Sequence, residues 1–247
     1  VAIVVAETKG QARDAAEKVV VNYKELPAVI DAVAALQSGA PQLHPEADGN
    51  LIYDWEIGDA AAADKAIASA AHVTKLKLVN NRLVPNAMEP RAALGHYDKA
   101  EDHYTCWTTS QNPHVARVVM SAFYNVAPEN KLRVIAPDVG GGFGSKIFIY
   151  PEEIVCLWAS KKTGVPVKWV ADRTESFLTD AHGRDHVTEV QMAFDADNRM
   201  TALKVDTIAN LGGYMSLFSS SVPTYLYATL LSGQYVIPAI HCNVRTV

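Results

Sequence analysis

Cysteine is scarce: the 247-residue chain has three, Cys106, Cys156 and Cys242, with no Cys-x-x-Cys pair and no His-rich stretch beside them. Zinc-knuckle and iron–sulfur ligation need closely spaced thiolates, so neither is expected within these residues. Widely separated cysteines are expected as buried, unreactive apolar side chains, and an odd count suits a reducing compartment. Basic residues are also few: 22 Lys and Arg stand against 27 Asp and Glu, a net charge of −5, and no basic cluster forms. That composition argues against a nucleic-acid partner, which needs a concentrated positive surface. No run approaches the ~18 consecutive apolar residues of a membrane span, and no signal-peptide pattern opens the chain. Charged residues make up only 20% and hydrophobic residues 49%, which excludes a disordered segment and leaves ample material for a packed core. The chain opens inside the apolar run 1–6 and closes after a strand-like run at 240–246, as expected of a piece of a longer polypeptide.

Hydrophobic periodicity divides what is there into short strands and a few helices. Residues 1–6 read as a buried strand. Thr8 is a candidate N-cap for a helix over 9–19, where Ala12, Ala15, Ala16 and Val19 recur at helical spacing. Residues 19–23 return to strand character, and a short Ala-rich helix is expected over 29–36. The Gly-, Pro- and Asp-rich stretch 38–50 marks a linker and the expected domain boundary. Beyond it, the pattern predicts helices over 60–70, 113–124 and 151–162, the last closed by Gly164 with Pro166 just after. Strands are predicted over 71–83, 92–97, 104–108, 131–137, 167–172, 187–194, 200–208 and 236–247. Asp195-Ala196-Asp197-Asn198 is a hairpin turn signal. Strand runs interrupted by a few helices, without steady βαβ alternation, give an α+β class with mixed sheets.

Four glycines in five positions, Gly140, Gly141, Gly142 and Gly144, permit positive φ and close approach of backbone N–H groups to an anionic or carbonyl-bearing ligand. A tight bend with close packing is the alternative. Neither familiar phosphate loop fits: a dinucleotide fingerprint needs Gly at Ser145 or Ile147, and a Walker loop needs Gly where Ser145 precedes Lys146. A bulky Phe143 among the glycines suggests one amide aimed at a ligand while the ring packs elsewhere.

The run Arg133 to Lys146, through Asp138-Val139-Gly140-Gly141-Gly142-Phe143-Gly144-Ser145, resembles the signature of the molybdenum-binding subunit of the xanthine dehydrogenase / aldehyde oxidase family of molybdenum hydroxylases. Met88-Glu89-Pro90-Arg91, Thr109-Ser110-Gln111-Asn112-Pro113, and Gly164 to Trp169 followed by Asp172-Arg173 agree with it in order. Gly212-Gly213-Tyr214-Met215-Ser216 and Pro223-Thr224-Tyr225-Leu226 most resemble large subunits of the aerobic carbon monoxide dehydrogenase type.

The resemblance implies the C-terminal part of a hammerhead domain plus linker over 1–50 and the first half of a molybdopterin-binding domain over 51–247. It implies molybdopterin with molybdenum, in the cytosine dinucleotide form, held by Gln111, Gly141, Gly142, Phe143 and Gly144. The Phe143 amide and the Gln111 side chain would donate to oxygens on the metal, since metal-oxo groups are strong acceptors. Further implied are an iron–sulfur small subunit, an FAD-binding medium subunit, a large-subunit dimer, a small-molecule substrate and a cytoplasmic location at the inner face of the membrane. Purine-oxidising members carry a glutamate where Ile147 stands, so xanthine is a poor substrate candidate. The family's general base and its arginine-bearing loop lie further downstream, so no catalytic residue or metal ligand is expected here, Cys242 included.

Other polar residues have more ordinary readings. Gln111 could instead cap the helix that starts at Pro113. Glu89 and Arg91 are expected in a buried or half-buried ion pair that positions a loop. His182, Arg184, Asp185 and His186 are expected in a surface loop, because Gly183 weakens the helix that would bring the two histidines onto one face. A non-enzymatic scaffold or cofactor-handling module on the same domain, and a nucleotide-binding enzyme, are the competing functions.

Overall fold

The computed structural model describes residues 1–247 and contains nine strands and seven α-helices. The strands are β1 (Tyr53–Gly58), β2 (His72–Asn80), β3 (Ala92–Asp98), β4 (His103–Thr108), β5 (Leu132–Ile135), β6 (Val167–Val170), β7 (His186–Phe194), β8 (Met200–Ala209) and β9 (Ala239–Thr246). The helices are α1 (Lys9–Ala16), α2 (Ala32–Ala35), α3 (Ala60–Ala68), α4 (Pro113–Ala122), α5 (Pro151–Thr163), α6 (Arg173–Thr179) and α7 (Tyr225–Ala228). Two mixed sheets form, ordered β5-β4-β3-β6 and β1-β9-β8-β7-β2, as the α+β class anticipates. The chain divides into two compact units: Val1–Leu26 with Val84–Ala181, and Pro27–Leu83 with His182–Val247.

In the first unit, β3 pairs antiparallel with β4 and β6, and β4 pairs in parallel with β5. Helix α5 carries its own boundary signals: Pro151 in the first turn with Glu152 and Glu153, Lys161 and Lys162 in the last turn, and Gly164 at φ 77° as the cap. It lies directly across β3 at Gly95, where a Cβ would stand 2.4 Å from the Cys156 carbonyl carbon and 2.5 Å from Leu157 N. Only glycine lets helix and strand backbones meet that closely. Tyr104, Cys106, Met120, Leu132 and Leu157 form the buried core between the sheet and its helices.

In the second unit, the Asp195 carboxylate turns the β7–β8 hairpin by accepting the Asp197 and Arg199 amides, each at 2.9 Å. One sheet face buries Leu203, Val205, Cys242 and Val244 with Ala228 of α7. The other presents Ala193, Ala202 and Ala239 to Ala63 of α3, small residues that allow close helix–sheet contact.

Several expectations need correction. Residues 1–6 and 19–23 are not strands: neither is hydrogen-bonded into a sheet, and Val1, Val20 and Tyr23 are exposed. An apolar run becomes a strand only when a partner edge satisfies its backbone, and the chain offers none here. The strand expected to reach residue 172 stops at Val170, because Asp172 instead caps α6 in a reciprocal pair with Glu175, both bonds 2.8 Å. The helix expected over 29–36 is a single turn, Ala32–Ala35. All three cysteines are free and buried. Burial pushes the Cys156 and Cys242 thiols up to about 11 and the Cys106 thiol higher still.

Candidate functional site: a loop of free backbone donors

Between β5 and α5 the backbone turns back repeatedly, with Gly141, Phe143 and Gly144 at φ 95°, 53° and 95°. Phe143 is the informative one. A left-handed conformation costs a side-chain-bearing residue ~1–2 kcal/mol, and such outliers persist only where the surroundings enforce them. Its ring is exposed and lies over Gly141, where a Cβ would stand 3.0 Å from the ring edge. The expectation that the ring packs elsewhere is therefore corrected: a residue in this conformation points its side chain out of the bend.

Four strands of contact enforce the loop. Glu89 Oε2 accepts both the Gly140 amide and Lys146 Nζ at 2.8 Å, and Lys146 Nζ also donates to the Glu89 carbonyl at 2.8 Å. Gln111 N donates to the Lys146 carbonyl at 2.9 Å, while Gln111 Oε1 accepts the Gly144 amide at 3.0 Å. Ser145 Oγ donates to the Gly142 carbonyl at 2.9 Å. Tyr150 OH donates to the Ser145 carbonyl at 2.6 Å and accepts the Ala181 amide at 2.8 Å.

What this arrangement leaves over defines its chemistry. Carbonyls 140, 142 and 144 and the Gln111 oxygen all accept hydrogen bonds within the chain. The amides of Gly141, Gly142 and Phe143 donate to nothing within it, and Gly142 is buried. A buried backbone donor without a partner is rare and points to a ligand. Because Gln111 spends its oxygen on Gly144, its Nε2 group is left as a further free donor. Gly142 must be glycine for this to hold, since a Cβ would stand 2.2 Å from Gln111 Oε1. The loop thus offers a cluster of neutral donors to a group rich in acceptor oxygens.

The sequence motifs converge on this frame. Gln111 is not a helix cap: Asn112 occupies that position, and the Gln111 side chain turns to the glycine loop. Glu89 and Arg91 do not pair with each other. Arg91 is buried and bonds Asp180 at 2.5 Å, Thr179 at 2.8 Å and Glu152 at 3.1 Å, with its guanidinium 3.5 Å from the Tyr150 ring centre. Arg173 holds the 86–88 segment through Asn86 Oδ1 at 2.7 Å and the Met88 carbonyl at 3.0 Å. In the second unit, Asp185 pairs with Arg82 at 2.9 Å and His186 enters β7.

Electrostatics follow the same contacts. Burial pushes the Glu89 carboxyl up, but hydrogen bonds from Lys146 and Gly140, with the Lys146 charge, outweigh it and hold Glu89 below the ordinary range. Burial also raises the Tyr150 phenol to about 12, so it stays protonated and donates to Ser145. Glu153, buried and bonded by Thr108 Oγ1 at 2.5 Å, is raised by desolvation. The anchoring roles of Lys146, Tyr150 and Asp180 escape the sequence reading; the one available signal was an unlike-charge pair, Glu89 and Lys146, carried by two of the ordered motifs.

Residues 43–247 match the family described as molybdopterin cofactor-binding domain. The chain belongs to that family. Relatives include the carbon monoxide dehydrogenase large chain of Hydrogenophaga pseudoflava, 36% identical over 100% of this chain and 32% of that protein. The nicotine 6-hydroxylase large subunit of Paenarthrobacter nicotinovorans is 33% identical over 97% of this chain and 29% of that one. Among solved structures, quinoline 2-oxidoreductase from Pseudomonas putida 86 superposes with a TM-score of 0.87 at 32% identity, over 98% of this chain and 30% of that one. The Cu,Mo-CO dehydrogenase superposes with a TM-score of 0.84 at 32% identity, over 97% of this chain and 31% of that one. The chain therefore spans about a third of the length of these two relatives.

Proposed function

We propose that the protein is the molybdopterin-binding large subunit of a molybdenum hydroxylase of the carbon monoxide dehydrogenase kind, with Gln111, Gly141, Gly142, Phe143 and Gly144 holding the cofactor. The observation that carries this is the cluster of free donors, including the buried Gly142 amide, in a chain of that family. A cofactor with oxygens on its metal and phosphates on its tail is rich in acceptors and fits a lining that offers only neutral donors. When bound, it supplies two-electron oxidation of a small-molecule substrate with oxygen drawn from water.

This chain's residues bind and orient. The Phe143 amide and Gln111 Nε2 direct acceptor oxygens without placing a charge beside them. Glu89 neutralises Lys146, so the loop adds no net charge to the site. The chain's partners would be an iron–sulfur small subunit and an FAD-binding medium subunit, in an assembly built on a large-subunit dimer in the cytoplasm, at the inner face of the membrane. The cofactor takes the cytosine dinucleotide form. Residues 1–50 correspond to the end of a hammerhead domain with its linker, and 51–247 to the first half of the cofactor domain; the family match beginning at residue 43 supports that division.

The test is metal and pterin analysis, with turnover assays, of the full-length protein purified with its partner subunits. Stoichiometric molybdenum and pterin with oxidoreductase activity are expected. A complete complex containing neither refutes the proposal.

A further inference from the structure

We infer that Glu89 and Lys146 are positioning residues: their ion pair is a latch that sets the direction of the free amides at 141–143, separately from any contribution to stability. The inference rests on the function proposed above. One carboxylate oxygen, Glu89 Oε2, joins both ends of the glycine loop, taking the Gly140 amide and Lys146 Nζ at 2.8 Å each. Lys146 in turn carries Gln111, whose amide bonds the Lys146 carbonyl at 2.9 Å. The latch therefore governs both sources of free donors, the loop amides and the Gln111 side chain. Close approach is built in, because a Cβ on Gly140 would stand 2.6 Å from Glu89 Cβ.

Stability alone is a poor reason for this arrangement. The Lys146 side chain is 1% exposed and that of Glu89 35%. Burying an ammonium is expensive, and replacing a buried pair by apolar or neutral groups of the same shape is often neutral or stabilising. What such a replacement cannot supply is two charge-assisted bonds from one ammonium to a carbonyl and a carboxylate on the same residue, which fix the loop end in direction as well as distance.

Two variants of the full-length protein separate the roles. Glu89→Asp keeps the charge, so Lys146 is not stranded, but withdraws the carboxylate by one methylene. Glu89→Gln with Lys146→Met removes both charges and keeps the volume. Three quantities are read: molybdenum and pterin per chain, the unfolding midpoint, and hydrogen exchange of the Gly140 and Gly144 amides. Both variants are expected to unfold within a few degrees of the wild-type temperature while holding at least fivefold less cofactor, with those two amides exchanging at least tenfold faster. Any cofactor they retain is expected to give an altered Mo(V) resonance signal. Wild-type cofactor content in either folded variant overturns the inference, as does a loss of cofactor that only tracks a lowered midpoint. If the wild-type protein itself holds no cofactor, the functional proposal has failed, and the exchange rates alone decide the latch: unchanged protection overturns it.

Discussion

Adding one methyl group at Gly142 separates the binding role of the glycine loop from its stability. The Gly142 backbone is not in the left-handed region, so alanine costs nothing conformationally. Its Cβ would stand 2.2, 2.5 and 2.7 Å from Gln111 Oε1, Cδ and Cγ, so the whole Gln111 side chain must swing away. That side chain is exposed and can move, which confines the folding cost to the lost Gly144–Gln111 bond, ~1 kcal/mol. For a domain of this size that is a fall of ~2–4 °C in melting temperature. The ligand loses the Gln111 donor, a bond to a charged acceptor worth ~1.5–3 kcal/mol, or ~10- to 100-fold in affinity. Gly164→Ala is the control. It sits at φ 77° with open space around it, outside the glycine loop, so alanine costs ~1–2 kcal/mol of backbone strain yet leaves Gln111 in place. The more destabilised variant should thus keep more cofactor. Differential scanning calorimetry and molybdenum analysis of both full-length variants give the answer. Wild-type loading in Gly142→Ala, or equal loss in both variants, refutes the reasoning.

Gly95→Ala drives a methyl group into the α5 backbone, which cannot rotate aside, so urea denaturation should show ~1–3 kcal/mol of destabilisation or more. A loss under ~1 kcal/mol would contradict the close crossing. His186 is held below its ordinary pKa by burial, with Asp185 opposing, so it folds neutral and its protonation favours the unfolded chain. Stability should therefore fall as pH drops below ~6.5, by at most ~1.4 kcal/mol per unit, and His186→Gln should flatten the urea midpoint between pH 7.5 and 5. The three buried thiols should resist alkylation at pH 7 until the protein is denatured; rapid labelling of the folded protein would contradict their burial.

Local chemistry made some of this fold legible in advance. The Asp195 turn and the Gly164 cap are properties of a few adjacent residues and appear where the sequence puts them. The Asp172–Glu175 capping pair was equally local, but an apolar run leading into it reads as a continuing strand. Residues 1–6 mislead for the opposite reason: strand character is in the residues, while the ladder that realises it must come from elsewhere. Parallel pairing of β4 with β5 and of β8 with β9 leaves no periodic trace either. At the site, the glycines announce a backbone-lined loop. The bond from Gly144 to Gln111 spans 33 positions and that from Lys146 to Glu89 spans 57, so neither is written in spacing. Motif order suggested that these segments belong together, and only the fold shows which atom of each faces which.

The order of the second sheet has a consequence for how the chain is made. Its two outer strands, β1 and β2, come first in the sequence, and the three that join them come last. Tyr53 and Thr246, paired across β1 and β9, lie 193 residues apart. At ~5–20 residues per second, a ribosome leaves β1 without its neighbour for roughly 10–40 s. Late in that interval residues 84–181 can already form their own sheet, while β1 and β2 have only each other or foreign edges to bind. Pairing the two early strands together would be a trap, since the finished sheet places them on opposite borders. Synthesis of this protein therefore favours a holding chaperone, or rapid translation after residue 181, so that β7, β8 and β9 arrive before β1 and β2 mispair.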